Sequence, residues 1–295
     1  MRAILKLVFC LAMVGLLLGG CSAPPPGTGG DRVRVVASFY PLAFAAEQVG
    51  GEAVSVIDLT PPGVEPHDLE LGAEDLEAIA DADVVVLLGG GFQPAVEDAV
   101  AAEATGAVID VMDGLGPPRM DGPDGSVDPH VWLEPDLYGG VVAGIASALQ
   151  DAGVDTSVGA PAFAAQLADL AVAFDRGLAP CQGKLLVTTH AAFGYLAAAH
   201  GLRQEAIAGL SPESEPDPAR LAALIALIRE EGVRTVFTEA LASPDVAQTL
   251  AAEAGAAFAV LDPLEGLAQD RIDAGEDYLS VMRDNLAVLQ EGLGC

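Results

Sequence analysis

The stretch PAFAAQLADLAVAFDRGLAP (residues 161–180) consists largely of strong helix formers. At 1.5 Å per residue a helix of this length reaches roughly 30 Å, about the width of a small domain. A single long helix between two lobes would act as a stiff hinge, but periodicity alone also permits an ordinary crossover helix. Its role therefore has to be judged from the sequence on either side.

Both flanks alternate β-rich runs with amphipathic helical stretches. The runs are RVRVVASF (32–39), AVSVIDL (53–59), ADVVVLLGG (82–90) and AVIDVM (107–112), then KLLVTT (184–189), EAIA (205–208), TVFT (235–238) and FAVLD (258–262). Strands that alternate with helices indicate βαβ units and parallel sheets. Two four-strand halves suggest an α/β fold of two lobes, an N-terminal one over 32–155 and a C-terminal one over 183–295, with residues 156–182 as either a connecting helix or a crossover helix.

The N-terminus has the pattern of an export signal. Residues 1–20 carry two basic residues, an apolar run over 7–18 and small residues before Cys21, a segment too short for a stable membrane span. The ending Leu-Gly-Gly-Cys resembles the bacterial lipobox, so we expect Cys21 to be lipidated; simple secretion with a free Cys21 is the alternative. We expect residues 21–31 to form a flexible tether and the protein to be extracytoplasmic and lipid-anchored to a membrane.

The four cysteines fall into two groups. Cys10 leaves with the signal peptide, and Cys21 carries the lipid. Cys181 and Cys295 remain as an even pair in an oxidising compartment. We predict that they form a disulfide, which would fix the last residue of the chain to the start of its second half.

The charge balance excludes one class of partner. The chain has 43 acidic residues against 13 Lys and Arg, a net charge of −30, whereas binding to nucleic acid needs clustered basic residues. An acidic surface raises the local concentration of cations. Acidic composition by itself does not show that a cation is bound.

Three of the four histidines follow predicted strands. His67, in EPHDLE, lies in the loop after the second strand; His130, in DPHVWLEP, follows the fourth; and His190, in VTTHAAFGYLA, ends the first strand of the second half. Ligands of open parallel sheets bind outside the carboxyl ends of the strands, so these histidines predict a metal site. His200 ends a helix, and we predict a surface position for it instead.

A fourth ligand has several candidates. Asp262 ends the last predicted strand, in AVLDPLEGL, and is the preferred one. Glu239, after TVFT, is its rival and could also hold a ligand from behind or cap the next helix; a water molecule is the remaining option. Glu65 and Asp68, which flank His67, are predicted to be surface acids or at most to support a ligand.

Five motifs together resemble a known family. VEPHDLE, DPHVWLEP, THAAFGYLA, FTEALASPDVAQTLAAEAG and VLDPL, in this order and spacing, resemble the ZnuA/TroA-like (cluster A-I) zinc and manganese solute-binding lipoproteins of ABC uptake systems, from about residue 32 to the end. The resemblance implies two (β/α)₄ lobes with parallel sheets, joined by one long rigid helix within 156–182, with the metal in the cleft between them. It implies capture of the ion outside the cytoplasm and delivery to an ABC permease. The ligands it implies are His67, His130, His190 and Asp262.

The type of ligand favours zinc. Manganese members of the family usually have Glu where this chain has His190, and imidazole suits zinc whereas manganese prefers oxygen. We therefore predict Zn²⁺ as the ligand, with Mn²⁺ or Fe²⁺ as the alternative. The loop over 114–127 lacks the histidine-rich stretch that many zinc members have before the DPHVW motif.

Two other function classes compete with uptake. A secreted zinc hydrolase would need a carboxylate base, for which Glu65, Asp128 or Glu239 could serve, but the chain has no H-E-x-x-H pair and its ligands are split between lobes. A surface adhesin that uses metal only for stability is the third class. We predict a monomeric binding protein without enzymatic activity.

Overall fold

The computed structural model describes residues 32–122, 125–212, 217–241 and 243–295. Within these residues, eight strands form two four-stranded parallel sheets, which confirms the predicted fold class. The predicted signal peptide, tether and lipidated Cys21 lie outside the described residues.

The first sheet belongs to the N-terminal lobe and has the order β2-β1-β3-β4. Its strands are β1 (Val33–Ala37), β2 (Val54–Asp58), β3 (Val84–Leu87) and β4 (Ala107–Asp110). All four residues of β3 are buried, as expected of an apolar run in the middle of a parallel sheet covered on both faces.

The second sheet repeats this arrangement with the order β6-β5-β7-β8. Its strands are β5 (Leu185–Thr188), β6 (Arg203–Ala206), β7 (Thr235–Thr238) and β8 (Ala257–Val260). The sequence predicts the second strand of this lobe over 205–208, whereas β6 begins and ends two residues earlier. This edge strand, RQEA, is only partly buried, so its position follows from pairing with β5 and not from an apolar pattern.

Ten α-helices connect and cover the strands of the described chain. They are α1 (Tyr40–Gly50), α2 (Ala73–Asp81), α3 (Pro94–Glu103), α4 (Pro135–Asp151), α5 (Gly159–Leu178), α6 (Gly194–Ala199), α7 (Pro218–Glu231), α8 (Asp245–Ala254), α9 (Gln269–Asp273) and α10 (Tyr278–Leu293). Proline lies in the first turn of α1, α3, α4 and α7, where its missing N–H leaves no helical hydrogen bond unmade. No helix among the described residues has the length and apolar character needed to cross a bilayer.

Helix α5 is the connecting helix, and it is continuous over 20 residues. One face of it is buried at helical spacing, by Phe163, Leu167, Leu170, Phe174 and Leu178. This face packs against α4 of the first lobe and α10 of the second. A single hydrophobic core cluster therefore runs through both lobes, and α5 is part of that core.

A disulfide joins Cys181 and Cys295, whose Cα atoms are 5.4 Å apart. Cys181 ends a short 3-10 turn just before β5, and Cys295 follows α10. The bond therefore ties the C-terminal helix to the amino end of the second sheet.

Candidate metal centre

Four side chains converge between the two lobes. The Nε2 atoms of His67, His130 and His190 lie 3.3, 3.2 and 3.1 Å from one oxygen, Oε1 of Glu265. The two buried rings also approach each other, with 3.4 Å between the Nε2 atoms of His130 and His190. All four ligand atoms lie within 4.8 Å of one another. These residues form what we call the metal cluster.

Each member of the metal cluster comes from a loop at the carboxyl end of a strand. His67 follows β2, and His130 follows β4 and starts the short 3-10 turn Val131–Leu133. His190 follows β5, and Glu265 lies in the loop after β8. Each lobe supplies two groups, so an ion held by them would bridge the lobes.

Four of the six separations between the ligand atoms have the length that a tetrahedral metal ion requires. Zn–N and Zn–O bonds of about 2.0–2.1 Å place neighbouring ligands of a tetrahedron about 3.3 Å apart. The three N···O separations of 3.1–3.3 Å and the N···N separation of 3.4 Å have this length. The cluster is therefore arranged for a small four-coordinate ion.

The ring of His130 is held from behind by Asp128. Its Nδ1 lies 2.7 Å from Oδ1 of Asp128, and the same oxygen accepts the His130 backbone N–H at 2.9 Å. Asp128 is in turn fixed by the other lobe, because the Tyr195 hydroxyl donates to its carbonyl oxygen at 3.0 Å. A Cβ atom at Gly194 would lie 2.5 Å from Oδ2 of Asp128, so glycine leaves room for this carboxylate.

The ring of His190 has an equivalent partner in Glu239. Its Nδ1 lies 2.6 Å from Oε1 of Glu239, and this oxygen also accepts the backbone N–H of His190 at 3.1 Å. The Thr189 hydroxyl donates to the same carboxylate. Glu239 therefore supports a ligand, one of the two roles that its position after TVFT predicts, and it is not a member of the metal cluster.

His67 has a less enclosed environment. Its side chain is 9% exposed, whereas those of His130 and His190 are fully buried. Its backbone N–H donates to Glu65 at 3.0 Å, and its ring lies edge-on to Phe92 with centroids 4.5 Å apart. His67 is the corner of the cluster nearest to solvent.

The electrostatics of the cluster reflect its buried charges. Burial lowers the pKa of His190, but the charges of Glu265 and Glu239 outweigh it and raise that pKa to about 10. Burial also opposes protonation of His130, yet hydrogen bonds to Asp128 and Glu265 raise its pKa. Burial of Glu265 favours its neutral form, but the His190 charge and the three imidazole contacts hold its pKa well below the usual range. The charges of the cluster therefore favour an ionised Glu265 facing protonated His190.

The structure does not bring Asp262 into the metal cluster, which corrects the preferred fourth ligand. Its Oδ2 accepts a hydrogen bond from Nη1 of Arg271 at 2.5 Å, and its Oδ1 accepts the Leu264 backbone N–H at 2.8 Å. Both oxygens are thereby directed away from the imidazoles. Glu265, three residues later, supplies the oxygen instead.

The family model described as "Zinc-uptake complex component A periplasmic" matches residues 35–292. The chain belongs to this family.

Several members of the zinc-uptake family are similar over most of the chain. The high-affinity zinc uptake system protein ZnuA of Bacillus subtilis is 33% identical, over 97% of both chains. The zinc-binding protein AdcA of Streptococcus pyogenes is 34% identical over 88% of this chain, which spans 56% of AdcA. The crystal structure of the Zn(II)-bound ZnuA-like domain of AdcA from Streptococcus pneumoniae superposes with a TM-score of 0.77 at 34% identity, covering 90% of this chain and 100% of that domain.

Glu265 is the member of the metal cluster that the sequence analysis missed. The available signal was an acid in the loop after the last strand, and LDPLEGL contains two such acids. Closeness to the strand end favoured Asp262, which lies two residues after the last residue of β8, Val260. The choice of Glu265 depends on a turn at Leu264, where φ is +54°, and such a conformation is rare for leucine.

His200 also differs from its prediction in part. It lies outside the metal cluster, as expected, but it is buried and not on the surface, with an exposure of 8%. Its ring stacks on Phe174 of α5 with centroids 5.9 Å apart, and Nδ1 lies 3.5 Å from Asp175. Burial lowers its pKa, and its role is to pack against the connecting helix.

Proposed function

We propose that this protein captures Zn²⁺ outside the cytoplasm and delivers it to the permease of an ABC uptake system. The ligands in this proposal are the four members of the metal cluster, His67, His130, His190 and Glu265. The observation that carries it is that three Nε2 atoms lie 3.1–3.3 Å from one carboxylate oxygen, the separation of neighbouring ligands around a tetrahedral zinc ion. Membership of a zinc-uptake family supports the same function.

The donor set supports zinc over the alternatives. Three nitrogen ligands and one oxygen suit Zn²⁺, whereas Mn²⁺ prefers sites rich in oxygen and of higher coordination number. Fe²⁺ also accepts imidazole, but it commonly takes more than four ligands. We therefore retain Mn²⁺ and Fe²⁺ only as competitors for the same site.

The number of protein ligands supports binding and not catalysis. A catalytic zinc site keeps one position open for water or substrate, whereas a site with four protein ligands is closed. The four groups of the metal cluster would fill a tetrahedron. The carboxylates that a hydrolase could use as base, Asp128 and Glu239, are occupied behind His130 and His190.

The division of ligands between lobes gives a route for capture and release. His67 and His130 come from the first lobe, and His190 and Glu265 from the second. Small separation of the lobes would therefore break the coordination into two incomplete halves. We infer that docking on the permease releases the ion in this way, while a lipid on Cys21 keeps the protein at the membrane.

Metal titration of the purified mature chain tests the proposal. We expect one Zn²⁺ per chain in a competition assay with a chelating indicator, with Mn²⁺ bound more weakly. His130→Ala should abolish tight binding, whereas His200→Ala, a histidine outside the cluster, should leave the affinity unchanged. Tighter binding of Mn²⁺ would change the proposed cargo, and equal zinc affinity of the two variants would refute the site.

A further inference from the structure

The turn that carries Glu265 has an unusual backbone. Leu264 is the one residue other than glycine with a positive φ, +54°, among the described residues. A left-handed conformation is unfavourable for leucine and persists only where the surroundings enforce it. The adjoining contacts should therefore show what holds Glu265 in place.

Asp262 provides the contact inside the turn. Its carboxylate is buried, and Oδ1 accepts the Leu264 N–H at 2.8 Å. The other oxygen, Oδ2, accepts from Nη1 of Arg271 on α9 at 2.5 Å. A hydrogen bond to the N–H two residues on closes an Asx turn, and the arginine fixes the orientation of the carboxylate that makes it.

The backbone at the start of the turn is held by residues of both lobes. Asn285 on α10 accepts the Asp262 N–H at 2.9 Å and donates to the Asp262 carbonyl at 2.7 Å. From the other lobe, Nε1 of Trp132 donates to the Pro263 carbonyl at 2.8 Å. The first two residues of the turn, Asp262 and Pro263, are thus held in place. The direction of the Glu265 side chain then depends on the backbone conformation at Leu264.

We propose that Asp262 is a positioning residue for Glu265: paired with Arg271, it fixes the 262–265 turn so that the Glu265 carboxylate meets the three imidazoles. This inference rests on the proposed function, because it assigns a role in zinc binding. Asp262 itself touches no member of the metal cluster through its carboxylate. It acts only through the backbone of Leu264.

A double-mutant cycle separates positioning from general damage to the protein. In the otherwise unchanged mature chain, Asp262→Ala should weaken zinc binding about 10- to 100-fold, the usual effect of losing a group that orients a metal ligand. In a Glu265→Gln background the same change should cost about twofold or less, because the carboxylate that it orients is already gone. An equal loss in both backgrounds, or no loss in the first, would overturn the proposal.

Two further variants test the mechanism if Asp262→Ala folds poorly. Asp262→Asn keeps an oxygen for the Leu264 N–H, and Arg271→Gln removes the ion pair without altering the turn itself. Both variants should weaken zinc binding less than Asp262→Ala does. In the Glu265→Gln background neither should weaken zinc binding further. Glu276→Gln is the matched control, because Glu276 contacts Arg271 at 2.7 Å from its other side and should leave zinc affinity unchanged.

The visible spectrum of the Co²⁺-loaded protein gives a readout that destabilisation alone would not move. Asp262→Ala should shift the cobalt bands toward those of Glu265→Gln, whereas Glu276→Gln should retain the wild-type spectrum. Wild-type bands in a folded Asp262→Ala variant would count against positioning. If the wild-type chain and His130→Ala bind zinc equally, the proposed function fails instead, so the two failures are distinguishable.

Discussion

The two ends of the parallel strands in this molecule have different chemistry. At the carboxyl ends, imidazoles from both lobes lie 3.1–3.3 Å from the carboxylate of Glu265. At the amino end of the second sheet, the Cys181–Cys295 disulfide closes the chain onto apolar core. The carboxyl ends carry buried charged groups that are stable only when paired with each other or with an ion. The amino end carries an uncharged covalent bond.

The difference indicates that binding and stability are separated in space. Buried ionised groups are costly unless they are paired, and in the metal cluster Glu265 pairs with protonated His190 in place of a metal. The disulfide stabilises mainly by restricting the unfolded chain. Effects on zinc affinity should therefore decline from the carboxyl ends of the strands to their amino ends.

The largest loss of affinity is expected on removing a buried ligand. Zinc sites with four protein ligands supply about 10–16 kcal/mol, so a single ligand contributes on the order of 3 kcal/mol, or about 100- to 1,000-fold in affinity. His190→Ala should show this full loss. The loss of zinc affinity in His67→Ala should be about tenfold smaller than in His190→Ala, because the partly exposed position of His67 allows water to replace the imidazole.

Competition titration of the two alanine variants measures this order directly. His200→Ala serves as the control for loss of a buried histidine elsewhere. Equal losses for His67→Ala and His190→Ala would show that exposure at the cluster does not matter.

A smaller loss is expected on removing the group behind a ligand. Asp128→Asn should lower zinc affinity about 10- to 100-fold, because a neutral amide holds the His130 ring more weakly than a carboxylate and supports its basicity less. Gly194→Ala should act in the same direction by displacing the Asp128 carboxylate. Asp121→Asn, on the same loop but exposed, is the matched control and should bind like the wild type in the same titration.

Proton release on binding should accompany the ligand effects. His190 has its pKa raised to about 10 in the metal-free protein, so it is protonated at pH 7, and zinc can bind only its neutral form. Zinc binding should therefore release about one proton or more and strengthen about tenfold per pH unit near neutrality. Calorimetry in two buffers of different ionisation enthalpy measures the release, and identical heats in both would contradict the protonated state of the cluster.

Much of this arrangement could be predicted from the sequence because it depends on local patterns. Alternation of strands and helices gave the two lobes, and loop position after a strand identified His67, His130 and His190 as neighbours. Parallel strands bring such loops to one edge whatever the details of packing. The even pair of cysteines pointed in the same way to the Cys181–Cys295 bond.

The fourth member of the metal cluster could not be chosen from sequence, because it depends on contacts between distant residues. Asp262 and Glu265 are both acids in one loop, and Arg271, Asn285 and Trp132 hold the backbone and the Asp262 carboxylate of that loop. The burial of His200 has a similar cause. The His200 ring packs against Phe174 of the connecting helix. The local sequence around His200 does not predict a contact with a residue so distant in the chain.

The smallest effect on zinc affinity is expected at the amino end of the second sheet. The disulfide closes a loop of 114 residues, for which the chain-entropy model gives about 4–5 kcal/mol of stabilisation. Changing both Cys181 and Cys295 to alanine should lower the free energy of unfolding by about this amount in urea denaturation. Zinc affinity should stay within about twofold, because no ligand or supporting carboxylate contacts the bond. A loss of zinc affinity comparable to that of Asp128→Asn would show that the two ends of the lobe are coupled through α10, which carries Asn285 and ends at Leu293, two residues before Cys295.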